Sequence, residues 1–279
     1  MPVQRSAHEP RRTHPLTTSR VWRHRDRLAV LVGLGGITVA AWVYVVVTAR
    51  RMATGSVGTG GQSMAPMMDA MTGVQPWTAT EFGLRLAMWA VMMVAMMVPT
   101  AAPMTLMYAA VARKAAAQHN PLAPTFVFVT GYIAMWTVFS LVATIAQHAL
   151  DQAALLSPMM VSRSSMLGAG LLIVAGIYQL TPFKNACLRN CRAPAHFLSR
   201  YWRTGNLGAF RMGLRLGAYC VGCCWILMGL LFVGGVMNLL WIAAIAIFVL
   251  LEKTFPFGDV SGRFAGAAMI LAGALSLAL

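Results

Sequence analysis

The sequence predicts an all-α fold, a polytopic transmembrane helical bundle of about seven spans, with six as the fallback. Three observations carry this. Of the 279 residues, 58% are hydrophobic and only 10% are charged, with a mean hydropathy of +0.67. A water-soluble domain carries roughly 25% charged residues, so this chain lacks the polar groups to cover its own surface in water. The apolar residues fall in runs near the ~20 residues that a spanning helix needs, and the basic residues collect between alternate runs.

Residues 1–28 are polar and basic from Arg5 to Arg27 and contain Pro10 and Pro15. They read as a disordered cytosolic tail. The first apolar run, Leu28–Val47, makes 29–48 a transmembrane helix. Val47-Thr48-Ala49 loosely matches a signal-peptidase site, but the long charged stretch before it and the bilayer-spanning length favour a retained signal anchor. Residues 49–80 form an outer loop rich in Gly and Met. The remaining runs, at about 82–111, 124–149, 166–182, 214–236, 238–251 and 264–279, make 81–279 the main transmembrane domain. The last three are tight, and the stretch from Gly234-Gly235 to Asn238 suits a re-entrant hairpin as well as two spans.

The charges give an orientation. The chain has 22 Lys+Arg against 7 Asp+Glu, a formal net charge of +15. With the amino terminus inside, 18 of the 22 basic residues fall on the cytosolic side, and only Arg50, Arg51, Arg85 and Arg163 do not. That is the positive-inside pattern of a multi-pass protein of the bacterial inner membrane with a cytosolic amino terminus. Only 3 of the 22 are lysine, as in a GC-rich bacterial genome. Topology thus accounts for the basicity. Nucleic acid is not an expected partner, since no basic helix or aromatic platform accompanies the charge. No segment outside the bilayer is large enough for an independent catalytic core. Patterns such as GxxxxGK[ST] and HExxH are absent, and no enzyme is expected.

Five cysteines occur in two clusters. Cys187 and Cys191 follow the fourth span, and Cys220, Cys223 and Cys224 begin the fifth. Both lie toward the cytosolic side, where thiols stay reduced and paired cysteines serve as metal ligands or redox groups. Counting from Arg215, Cys220 is only ~7 Å into the helix. The connecting chain can fold back, and i, i+4 spacing puts Cys187 with Cys191 and Cys220 with Cys224 on common faces. Cysteines also pack as small inert hydrophobes, but confinement to two short clusters on one side favours chemistry.

Methionine is the second unusual feature, at 21 residues. The second span carries Met88, Met92, Met93, Met96 and Met97, then Met104 and Met107, with Pro99 and Pro103 predicting a kink near its middle. At ~100° per residue these methionines share one broad face. The outer loop adds Met64, Met67, Met68 and Met71 around Asp69. Thioethers select soft Cu(I) over zinc or magnesium, although methionine packs well in any bundle. Few polar groups lie near membrane depth. Gln179 and Thr181 end the fourth span beside Lys184. Glu252 closes the sixth, where solvation and a partner in Lys253 are expected, and His196 reads as a solvated loop residue. Glycines at Gly168, Gly170, Gly176, Gly213 and Gly217 give small faces for close helix packing.

Three stretches, WAVMMVAMMVP at 89–99, YQLTPFKNACLRNCRAP at 178–194 and GAYCVGCCWILM at 217–228, resemble a family of bacterial membrane proteins. It is labelled a domain of unknown function (DUF2182) and a predicted metal-binding integral membrane protein. The resemblance covers roughly residues 80 to 279. It implies a metal site at Cys187, Cys191, Cys220, Cys223 and Cys224.

Three functional readings follow. The first is a membrane protein that binds copper(I) through clustered Cys and Met and moves or delivers it. The second is an accessory protein pinned by a structural zinc on four thiolates. The third is a thiol oxidoreductase using Cys220 and Cys223, with Trp225 beside them and Arg215 or Arg189 supplying a positive field. The expected partners are the lipid bilayer, the metal ion and an unidentified protein.

Overall fold

The computed structural model describes residues 16–53, 77–116, 124–153, 165–255 and 258–278. Among these it is all helical. The helices are α1 (Leu16–Ala53), α2 (Ala79–Ala116), α3 (Thr125–Gln152), α4 (Ser165–Leu180), α5 (Pro182–Arg192), α6 (Pro194–Tyr201), α7 (Gly205–Gly229), the single turn α8 (Leu231–Gly234), α9 (Leu239–Thr254) and α10 (Gly258–Ala278).

Among the described residues the spans number five or six, not clearly seven. Five stretches are long and apolar enough to cross a bilayer: Arg27–Arg51, Ala79–Lys114, Thr125–Gln152, Gly205–Gly234 and Val260–Ala278. A sixth exists if α4 and α5 count as one span bent by 65°. The physical reason lies in length. Helix α9 has 16 residues and rises ~24 Å, short of a ~30 Å hydrocarbon core. Helix α4 stops at Leu180, where Pro182 forces a new start. Helix α1 also begins earlier than expected, at Leu16, so it takes in the second half of the stretch read as tail. Nothing after Pro15 in that stretch breaks a helix. The loop methionines Met64, Met67, Met68 and Met71, with Asp69, lie outside the described residues, as does residue 163.

Local chemistry sets the helix starts. Thr78 and Glu81 form a capping box on α2: the Thr78 amide donates to Glu81 Oε2 at 2.8 Å and the Glu81 amide to Thr78 Oγ1 at 3.2 Å. Thr181 caps α5 by accepting from the Lys184 amide at 3.3 Å, with Pro182 in the first turn. Asn238 caps α9, and Gly235 turns the chain before it at φ 95°. Helix α2 runs through Pro99 and Pro103 without a break in the helix.

Helix α2 is central and packs on α1, α3 and α9. Helices α3 and α7 approach backbone to backbone: a Cβ on Gly131 would strike the Phe210 carbonyl, and one on Gly213 the Phe128 carbonyl. Gly217 faces Met135 and Tyr132 on the same seam. Helices α4 and α10 form a second close pair through Gly176, Gly266 and Gly273. The short helix α5 lies against α7. The common core of α2, α3, α7 and α9 is where the methionines and cysteines meet.

Candidate metal centre

Each sulfur reaches this core for a local reason. Met88, Met92, Met93, Met96, Met97 and Met104 are all buried in α2, while Met107 is half-buried. From Met88 to Met97 the strip climbs ~13 Å along the helix axis. Its last member meets the thiols, with Met97 Sδ 4.0 Å from Cys224 Sγ.

Helix α7 contributes Cys220, Cys223 and Cys224, all buried. The thiols of Cys223 and Cys224 donate back to the Cys220 carbonyl at 3.1 Å and 2.8 Å. Helix α5 brings the other cluster. Cys187 is buried and Cys191 half-buried, and Cys191 lies close enough to Cys220 and Cys223 to interact electrostatically with both. The approach of α5 depends on Gly222, where a Cβ would come within 2.9 Å of Cys187 Sγ. The Tyr178 hydroxyl fastens the two helices by donating to the Gly222 carbonyl. The fold-back expected from the sequence therefore occurs, and all five cysteines gather where α5 crosses α7.

The surroundings of Cys220 were not anticipated. Lys253, only 7% exposed, donates to Cys220 Sγ at 2.8 Å and lies 4.0 Å from Cys224 Sγ. It also donates to Thr100 Oγ1 at 3.4 Å. The Tyr132 hydroxyl stands 3.0 Å from Cys220 Sγ and donates to the Met97 carbonyl at 3.1 Å. Thus α2, α3, α7 and α9 all converge on Cys220. A thiolate at Cys220 is charge-compensated by the Lys253 ammonium, which itself requires a partner in an apolar core. The positive charge comes from this lysine. Arg215 instead stacks over the Tyr201 ring at 4.3 Å, and Arg189 is exposed.

Glu252 also corrects the sequence reading. It is 2% exposed, and it pairs with the buried Lys184, which also donates to Gln179. The expected solvated pairing with Lys253 does not form, because neighbouring residues of a helix point ~100° apart and each finds its own partner. The signal available in sequence was the lysine count: two of the chain's three lysines are buried. Gln147 is buried too and accepts from Trp89 Nε1 at 2.7 Å. His196 is exposed on α6, and Trp225 is exposed beside Tyr178.

Among the described residues, no three His, Cys, Asp or Glu side chains are set together as ligands for a metal ion. Lys253 reaches Cys220 and Cys224, and Met97 reaches Cys224. That geometry lacks the four-sulfur tetrahedron of a structural zinc site.

The profile of a family described as copper chaperone (PpoB2) matches residues 86–276, and no curated protein or solved structure matches. The match covers well over half of the chain and includes every cysteine and the whole α2 methionine strip. The chain belongs to this copper chaperone family. It is therefore a multi-span membrane protein of a metal-carrier type, and its family is not one of enzymes.

Proposed function

We propose that, as a copper chaperone built into the bilayer, this chain carries Cu(I) between the methionine strip of α2 and the cysteine cluster of α5 and α7. The observation that carries the reading is the junction of the two, Met97 Sδ at 4.0 Å from Cys224 Sγ. Met88, Met92, Met93, Met96 and Met97 supply neutral thioethers through the apolar interior. Cys220, Cys223 and Cys224, with Cys187 and Cys191, supply the tighter thiolate end.

Charge arithmetic supports copper. Cu(I) held by two thiolates leaves one net negative charge, and the Lys253 ammonium beside Cys220 cancels it. A neutral assembly is what the interior of a membrane protein tolerates. Zinc is less suited, since its usual four ligands find no such grouping among the described cysteines and histidines. The thiol oxidoreductase alternative loses its ground with membership of a carrier family.

We read the thiol end as cytosolic, on the 18 of 22 basic residues that fall on that side when the apolar runs of the sequence are counted with the amino terminus inside. We also read the DUF2182 resemblance as the same relationship, because all three motif stretches lie inside the matched region 86–276.

Elemental analysis of the purified protein, wild type beside a variant with all five cysteines changed to serine, tests the proposal. Copper present in the first and lost from the second is the expected result. Zinc lost in the same comparison overturns the copper reading in favour of a structural site. No metal in either overturns metal handling by these thiols.

A further inference from the structure

Beside the thiol cluster, α5, α6 and α7 line an open cavity of about 740 Å³. Its wall carries Arg189 and Arg192 from α5, His196 and Arg200 from α6, the Tyr201 ring, and Cys187. Among the described residues, no carboxylate lines it. Arg189, His196 and Arg200 are exposed, while Arg192 donates to the Phe255 carbonyl. Two guanidinium groups brace the aromatic wall, Arg215 at 4.3 Å and Arg200 at 5.8 Å from the Tyr201 ring centre. The Tyr201 and Tyr219 hydroxyls are 2.8 Å apart. The Tyr201 phenol is held below its ordinary value by that hydrogen bond and by the nearby Arg200 and Arg215. A positive-inside bias puts arginines at a membrane face. It does not gather them around a cavity that has a cysteine in its wall.

We infer that this cavity is the port where Cu(I) is exchanged with a small anionic thiol, the metal arriving or leaving as a thiolate complex that carries carboxylates. This rests on the copper reading above and adds the chemical class of the carrier. The volume lies in the ~300–1,000 Å³ range of small-molecule sites, enough for a tripeptide-sized thiol. Guanidinium groups bind carboxylates through charge-assisted hydrogen bonds. Cys187 takes the metal first. One carrier S–Cu bond breaks, one Cys187 S–Cu bond forms, and the Cys187 proton passes to the departing carrier thiolate. Copper stays Cu(I), so no electron is transferred. From Cys187 the metal faces α7 at Gly222, one residue from Cys223.

The test uses the metal-free full-length protein in nanodiscs of zwitterionic lipid, loaded from Cu(I)–glutathione or from the uncharged Cu(I)–mercaptoethanol complex. Loading is followed by stopped-flow absorbance of the protein copper–thiolate bonds. In R189Q/R200Q, loading from the glutathione complex slows about tenfold, and loading from the uncharged complex slows less than about twofold. Cys187→Ser slows both. Equal slowing of both complexes in R189Q/R200Q, or none, overturns the port. Loss of the glutathione preference in wild type alone when the discs contain anionic lipid assigns the cavity to a headgroup and also overturns it. A wild type that takes copper from neither complex overturns the copper reading itself, which is a separate outcome.

Discussion

Lys184 and Lys253 are both buried in this bundle, and their partners differ in kind. Lys184 meets the carboxylate of Glu252 and the amide of Gln179. Lys253, next in sequence to Glu252, turns to the sulfur of Cys220. Each ammonium carries a similar desolvation cost. A carboxylate neutralises one permanently and has no affinity for a soft metal. A thiol neutralises the other only as thiolate, and that same sulfur is the copper ligand of the proposed function. The first pair is suited to holding α5 against α9 and α10, with Gly262 of α10 packed close to the Glu252 carboxylate. The second is suited to a site whose charge changes when cargo arrives.

The comparison breaks first at the carboxylate. Replacing Lys184 with methionine leaves a buried carboxylate alone and is expected to destabilise the protein by about 3–5 kcal/mol in denaturant unfolding. Adding Glu252→Leu should recover most of that loss. At the thiol, Cys220→Ser should lower Cu(I) affinity by about 100-fold in competition with a chromogenic chelator, since a hydroxyl is a poor soft-metal ligand. Lys253→Gln keeps the volume and removes the charge, and should cost about tenfold in the same titration. If Lys253→Gln instead behaves like Lys184→Met, unfolding the protein with no selective effect on copper, the two lysines are alike and the distinction fails.

Two smaller effects sharpen it. Gly222→Ala pushes a methyl group toward Cys187 Sγ and should destabilise the protein by about 1 kcal/mol or less, with the Cys187 side chain turned away from α7. Protection of Cys187 from maleimide in the folded protein checks this, because it should weaken in the variant. Met97→Leu nearly conserves volume, so unfolding should shift by less than about 1.5 kcal/mol. Its expected signature is slower copper movement between the strip and the thiols, by a few-fold, at unchanged cysteine affinity.

What the sequence disclosed follows physical lines. Helix periodicity is local, so the shared buried face of Met88, Met92 and Met96 was legible without a fold. The fold-back of the two cysteine clusters was also legible, because the intervening chain is long and basic. The span count was not. Composition marks α4 and α9 as apolar, but their lengths are set by Pro182 and by Gly235, and both helices fall short of a full crossing. The partners of Glu252 and Lys253 were hidden for a different reason. Adjacent residues diverge around a helix, and their environments depend on α5 and α7, brought close only by the tertiary fold. Tyr132 escaped notice for the same reason, since its hydroxyl matters only where α3 crosses α7.

The charge pairs also constrain how the chain is assembled. Lys184 and Cys220 precede Glu252 and Lys253 by 68 and 33 residues, so both are synthesised before α9 leaves the ribosome. Until then Lys184 has Gln179 as its neighbour and no counter-ion from α9. Helix α9 in turn is short, and its last turn holds an acid and a base whose partners lie on other helices. It gains a stable place only by docking into a bundle already built. Docking of α9 thus neutralises the scaffold and completes the surroundings of the Cys220 sulfur in one event.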